Sequence, residues 1–217
     1  YKKDIRDMIE QKYLCDYNIK IPIFNNNPSN EEFGKYIIKN YRNTILYANS
    51  QEEGKIFNNL LNILLPNSSA YLDCSTNKTN RNNIIKKYKN NEISFLVNVR
   101  ILIEGFDAPI TQNIIFLHLP TTQNTIIQII GRALRLNHNK TMSNIVLPYL
   151  TENDQKGINK FLNIVSNNDS RIKKSFMSKN TCGYINLEKV YSEIEKTKED
   201  VKIEEEDLIE FKYDLIY

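Results

Sequence analysis

Short apolar blocks alternate with longer amphipathic stretches between residues 19 and 165, and this rhythm constrains the fold more than any other property of the chain. Residues 19–24, 44–48, 70–73, 94–99, 113–118 and 143–147 read as strands, and residues 30–41, 50–65, 80–89, 122–136 and 152–165 as helices. Ser29 or Asn30 caps the first helix, Pro66 stops the second, and Ile84, Ile85 and Tyr88 mark the inner side of the third. Pro22 places the first strand near a sheet edge. Strands joined by helices of this length require crossovers, and crossovers produce a mainly parallel sheet covered on both faces. Ligands of such sheets sit beyond the carboxyl ends of the strands, so the loops after strands are where chemistry is expected.

With 217 residues, 41% of them hydrophobic, the chain can bury one core and carry a small appendage. The rhythm weakens after Ser166, and residues 166–217 read as a separate extension in which 184–187 is a candidate strand. Residues 188–217 are acidic and amphipathic, expected to be helical, with Ile194, Val201, Ile203 and Leu208 available for packing. They hold 11 acids against 5 lysines, net −6, which leaves residues 1–187 at +9 within the chain's total of +3. A basic body of this kind suits a polyanionic partner; a merely solvated lysine-rich surface is the plainer alternative. Cys15, Cys74 and Cys182 are too scattered for a metal site, so free thiols in a reducing, intracellular compartment and no bound metal are expected. No apolar run is long enough to cross a bilayer, no signal peptide is evident, and a start at Tyr1 is expected of a piece of a longer protein.

Residues 122–136 concentrate the chemistry. Gln128, Arg132 and Arg135 are spaced to share one face of a helix whose remaining residues are mostly apolar. Gly131 within it costs about 1 kcal/mol of helix propensity relative to alanine, which points to a close approach there. No Asp or Glu lies between Asp107 and Glu152, so a local ion pair is ruled out. Guanidinium groups on such a helix want an anion, and phosphate fits their fork. Carboxylates from elsewhere, Asp73 or Asp107, are the competing partners. Upstream, the strand at 94–99 runs into Glu104-Gly105-Phe106-Asp107-Ala108-Pro109, a strand-to-loop switch. Gly105 there permits unusual backbone, and Asp107 can accept from a hydroxyl or simply stabilise the turn.

Taken together, LVNVRILIEGFDAP and QIIGRALR resemble motifs V and VI of superfamily 2 helicases in wording, order and gap. TILYANSQEEGKIFNNLL resembles their motif IV, and Arg81 falls where relatives carry an arginine ahead of motif V. The likeness covers roughly residues 40–150, and EGFDAP is closest to the restriction-subunit, repair-helicase and viral-helicase branches. The resemblance implies a RecA-like C-terminal motor domain over residues 1–165, followed by a mainly helical extension over 166–217 with its acidic tail. It implies that Arg132 and Arg135 are arginine fingers, Arg135 foremost at the γ-phosphate. Gln128, Gly105 and Asp107 would line the ATP cleft, Asp107 near the ribose, and Asn49, Ser50, Arg81, Asn98 and Arg100 would touch the backbone of DNA or RNA. Val99 and Ile103 stand where relatives often have Ser or Thr, which removes possible phosphate contacts.

Neither a GxxxxGK[ST] loop nor a DExH-like box is present. The resemblance therefore implies that ATP and Mg2+ are held mainly by an N-terminal RecA-like domain outside this sequence, and that this chain alone is inactive as an ATPase. A RecA-like nucleic-acid-binding or assembly module that has lost catalysis is the alternative. A membrane partner is not expected.

Overall fold

A computed structural model describes residues 4–24, 27–99, 108–137, 140–177 and 184–191. Among the described residues, seven strands form one sheet: β1 (Asp16–Phe24), β2 (Thr44–Tyr47), β3 (Ser69–Leu72), β4 (Phe95–Asn98), β5 (Asn113–Phe116), β6 (Met142–Val146) and β7 (Ile185–Val190). Their order is β3-β4-β2-β5-β6-β1-β7, and every ladder is parallel. The helices are α1 (Ile5–Glu10), α2 (Asn30–Asn40), α3 (Gln51–Leu64), α4 (Lys78–Lys89), α5 (Gln123–Ala133), α6 (Asp154–Ser166) and α7 (Ser170–Met177).

Period-two alternation sorts the strand residues into two cores. Ile45, Tyr47, Leu96, Ile114, Phe116 and Ile145 face the cluster built with α5, α6 and Tyr88 of α4. Leu46, Phe95, Val97, Ile115 and Val146 face the cluster built with α2 and α3. The parallel, doubly covered sheet expected from the sequence is thus the one observed. Helix starts obey their caps: Ser29 and Glu32 form a reciprocal capping box on α2, and Ser50 accepts from the Glu53 N–H on α3.

Several elements differ from expectation. Strand β1 begins at Asp16 and lies between β6 and β7, one position in from the edge. Pro22 is tolerated because the β1–β6 ladder ends at Lys20↔Val146, so its missing N–H interrupts no pair there, while its carbonyl accepts from the Tyr149 N–H. Strand β7 extends that same sheet by pairing with β1 through Phe24↔Val190. Glu188–Val190 are therefore strand rather than helix; residues 192–217 lie outside the described residues. Helix α5 stops at Ala133, three residues short of the expected end.

The free edge at β3 is protected by side chains. The Ser68 and Leu72 carbonyls accept from β4 and the residue after it, so Ser69, Tyr71 and Asp73 turn their backbone outward. Asn62 of α3 covers Ser69 from both sides: its Oδ1 accepts from the Ser69 N–H at 3.1 Å and its Nδ2 donates to the Ser69 carbonyl at 3.0 Å. The carboxamide stands in for a neighbouring peptide, and Thr76 Oγ1 does the same for the Asp73 N–H. Asn62→Ala leaves two partly buried backbone groups unsatisfied and is expected to cost about 1–3 kcal/mol. Urea titration checks this, and an unchanged midpoint contradicts it.

Candidate functional site

Because all strands run the same way, the loops after β2, β3, β4, β5 and β6 gather on one rim. Helix α5 comes directly after β5 and presents a buried face of Ile126, Ile129, Ile130 and Ala133. Gln128 on its other side is exposed, and Arg132 and Arg135 are half-buried. Arg132 occupies the last turn of α5. Its charge also reaches Tyr47 of β2: burial pushes the Tyr47 phenol far up, and Arg132 partly opposes that rise. The residues next to Arg132 lie at the amino ends of the strands, where the Ala133 carbonyl meets Ser143 at the start of β6 and the Leu134 carbonyl meets Cys15 just before β1. Arg135 lies just past the helix cap Leu134, so Gln128 and Arg132 share the helix while Arg135 sits on the turn that leaves it.

Long-range hydrogen bonds cause that early stop. The Ala133 carbonyl accepts from Ser143 Oγ at 2.7 Å and Lys140 Nζ at 2.7 Å, and the Leu134 carbonyl accepts from the Cys15 N–H at 2.8 Å. These groups satisfy carbonyls at the helix end that another turn would need.

Asp73, one of the two carboxylates that could have neutralised the arginines, is committed elsewhere. It accepts from the Ser75 N–H and hydroxyl, the Thr76 N–H and hydroxyl, and the Tyr71 hydroxyl. The Ser75 hydroxyl bond leads the contacts that hold its carboxyl below the ordinary range. Gly131 also departs from expectation: a Cβ placed there meets nothing within 4 Å among the described residues. The close approach occurs instead at Gly54 of α3, where a Cβ would lie 2.7 Å from the Tyr71 ring and 3.0 Å from the Val99 side chain. That contact draws the start of α3, with Asn49 and Ser50, against the residue next after β4.

The remaining candidates divide. Asn49 and Ser50 are exposed, but both also serve the local structure: the Asn49 N–H donates to Glu53 Oε2 at 2.7 Å, and Ser50 caps α3. Arg81 is half-buried on α4 and donates to the Thr76 carbonyl at 3.2 Å; its Nε is buried and meets no acceptor among the described residues. Helix α4 carries Lys78, Arg81, Lys86, Lys87 and Lys89 and no acid. Alongside it runs a cleft of about 730 Å³, lined by Tyr71, Thr76, Asn80, Asn83 and Lys87 among others. Asn98 is wholly buried at the end of β4, which leaves its side chain no exposed surface to offer a nucleic-acid backbone. Arg100, Gly105 and Asp107 lie outside the described residues. No cluster of three metal-ligating side chains occurs among the described residues.

Sequence reasoning missed Lys140. The signal was present, since Lys140 is the one lysine in a stretch from 108 to 151 that contains no acid.

The model of the helicase conserved C-terminal domain matches residues 29–137, half of the chain. Over 179 residues the chain is 29% identical to IRC3 of Saccharomyces cerevisiae, which carries the name of an ATP-dependent helicase. That match takes in 67% of this chain and 25% of IRC3, so the chain spans about a quarter of that relative. Among solved structures, the ATP-dependent Type ISP restriction-modification enzyme LlaBIII superposes with a TM-score of 0.72 at 17% identity, over 96% of this chain and 18% of that one. The C-terminal domain of the DEAD-box protein Dbp5 superposes with a TM-score of 0.56 at 16% identity, over 81% of this chain and 90% of that one. At those identities the superpositions speak for the fold, which is RecA-like. With the parallel sheet, the motif order and the family match in agreement, the chain belongs to the helicase conserved C-terminal domain family.

Proposed function

We propose that the chain is the second motor domain of an ATP-dependent helicase or translocase acting on DNA or RNA. The observation that carries this reading is the helicase C-terminal family match over residues 29–137, with Arg132 in the last turn of α5 and Arg135 on the turn that leaves it, both half-buried. Guanidinium groups there fit a triphosphate by charge and by fork geometry. Arg132 and Arg135 would bind the terminal phosphate and offset the charge that builds on it. Gln128, exposed one turn earlier, would hydrogen-bond near the nucleotide. Gly105 and Asp107 keep the cleft-lining roles that the resemblance implies. The bound nucleotide supplies the scissile phosphoanhydride, and a partner RecA-like domain would supply the phosphate loop and the Mg2+ carboxylate.

Asn49, Ser50, Arg81 and Arg100 would grip the nucleic-acid backbone. Such contacts position a strand without reading its sequence, as a stepping motor needs. Asn98 is omitted from this set because of its burial.

The chain by itself is expected to hydrolyse ATP no faster than background, with or without nucleic acid, because its sequence holds no phosphate loop. Joined to a domain bearing such a loop, it is expected to support nucleic-acid-stimulated turnover. A phosphate-release assay on both forms checks this. Turnover by the chain alone at the rate of a complete motor overturns the reading, as does a joined form that stays inert.

A further inference from the structure

Lys140 has no place in the motifs, yet it sits at a junction of them. It is 6% exposed, and its Nζ donates to two main-chain carbonyls, Ala133 at 2.7 Å and Thr111 at 3.0 Å. Ala133 is the last residue of α5, immediately after Arg132 and two residues before Arg135. Thr111 closes the segment that leads from the loop after β4 into β5, and its N–H donates back to the Ala108 carbonyl. One ammonium therefore ties the exit of the β4 loop to the end of the arginine-bearing helix.

The surroundings hold Lys140 in place. Its N–H donates to the Asn137 carbonyl, and Asn137 and Lys140 form an antiparallel bridge that folds the chain back onto α5. Ser143 Oγ shares the Ala133 carbonyl, and Cys15 Sγ lies 3.2 Å from that hydroxyl. Tyr88 fixes Thr111 from the α4 side through a 3.2 Å hydroxyl bond. A cation at a helix C-terminus is favoured by the partial negative charge of the terminal carbonyls. Burial pulls the Lys140 ammonium below its ordinary pKa, and the neighbouring Cys15 thiol opposes that fall.

We propose that Lys140 is a positioning residue for Arg132 and Arg135, acting by clamping the Ala133 carbonyl to the Thr111 carbonyl so that both arginines keep fixed places at the end of α5. This rests on the reading of Arg132 and Arg135 as phosphate-binding groups. Arg132 precedes the clamp by one residue and Arg135 comes two after it, so both inherit its geometry. Release of the clamp frees the last turn of α5 and the turn after it, while the buried Ile126, Ile129 and Ile130 keep the body of the helix seated.

The test uses Lys140→Met, which retains the stem and removes the charge, and Lys140→Arg, which retains the charge. In the 217-residue chain, hydrogen exchange reads the Leu134 amide, which bonds to the Ile130 carbonyl at 3.0 Å. Lys140→Met is expected to speed that exchange at least about tenfold with the α5 amides further in unaffected, because local opening is set by local contacts. In the polypeptide that joins both motor domains, kcat is expected to fall roughly 10- to 100-fold with KM for ATP within about threefold, as a displacement near 1 Å costs. Lys140→Arg recovers part of both losses. Should Lys140→Met fail to fold, Ser143→Ala, which removes another bond to the Ala133 carbonyl, must shift exchange and kcat in the same direction. Unchanged Leu134 exchange and unchanged kcat in a folded Lys140→Met protein overturn the clamp. Arg132→Ala, run alongside, separates the two ideas: if it leaves turnover intact, the phosphate-binding reading fails, whereas an inert Arg132→Ala with a fully active Lys140→Met refutes the clamp alone.

Discussion

Alanine at Arg132 or at Arg135, in a polypeptide that joins this chain to a phosphate-gripping domain, is expected to lower kcat for ATP hydrolysis by roughly 10³- to 10⁵-fold, the range arginine fingers supply. The loss should fall on kcat more than on nucleotide affinity, since the partner domain holds most of the triphosphate. Lysine at either position is expected to restore little, because an ammonium lacks the planar fork that meets two phosphate oxygens together. The fold should survive: Arg132 and Arg135 are half-buried, and the apolar face of α5 is built by other residues. Steady-state kinetics with circular dichroism as a control decides the matter. Activity within about threefold of the parent in both variants, far short of a finger's contribution, removes the arginines from catalysis.

Arg171→Leu is expected to give the largest loss of stability, about 3–5 kcal/mol, because it removes the guanidinium beside the buried Asp169 and the half-buried Asp16. Arg171 is 9% exposed in α7. Its Nη1 meets Asp16 Oδ1 at 2.7 Å, its Nη2 donates to the Tyr17 carbonyl at 3.2 Å, and its guanidinium lies 3.5 Å over the Tyr184 ring. Asp169, wholly buried, lies 3.7 Å away and accepts from the Tyr17 hydroxyl at 2.7 Å. Burial pushes the Tyr17 phenol far up, so it remains the donor in that bond. One side chain thus holds α7, the start of β1 and the entry to β7 together. Thermal melting should show a fall of roughly 2–4 °C per kcal/mol. The acid side carries a second signature. Burial alone would raise the Asp16 carboxyl, but the Tyr17 N–H and the Arg171 and Arg6 guanidiniums outweigh it and hold it below its ordinary value of 3.8. A depressed carboxyl contributes stability above that value and loses it as pH falls through the lower folded one. Arg171→Leu should therefore flatten the stability curve below about pH 4 as well as lower it. A variant that melts with the parent and keeps its acid limb refutes this account.

Features set by nearby residues were legible in the sequence, and features set from far along the chain were not. The strands of the body were readable because apolar blocks such as 44–47 and 113–116 are buried on both faces, and the helix starts because Ser29 and Ser50 carry their own caps. Helix α5 and its lack of nearby acids were readable, although Arg135 falls on the turn after the helix rather than on its face. Its end was not, because it is set by Lys140, Ser143 and Cys15, contributed from beyond the helix by β6, its approach and the entry to β1. Of β7, the stretch 184–187 was readable as a candidate strand, but its continuation through Val190 was not, because it is set by pairing with β1. The close packing expected at Gly131 belongs to Gly54, a distinction that only Tyr71 and Val99 reveal.

The direction of β7 decides where the rest of the chain departs. Had that outermost strand run antiparallel, the chain would leave the sheet on the underside, far from the loops that gather beyond β2 and β4. It runs with the others, so Tyr191, the residue after its end, stands on the same side of the sheet as the carboxyl ends of β2 and β4.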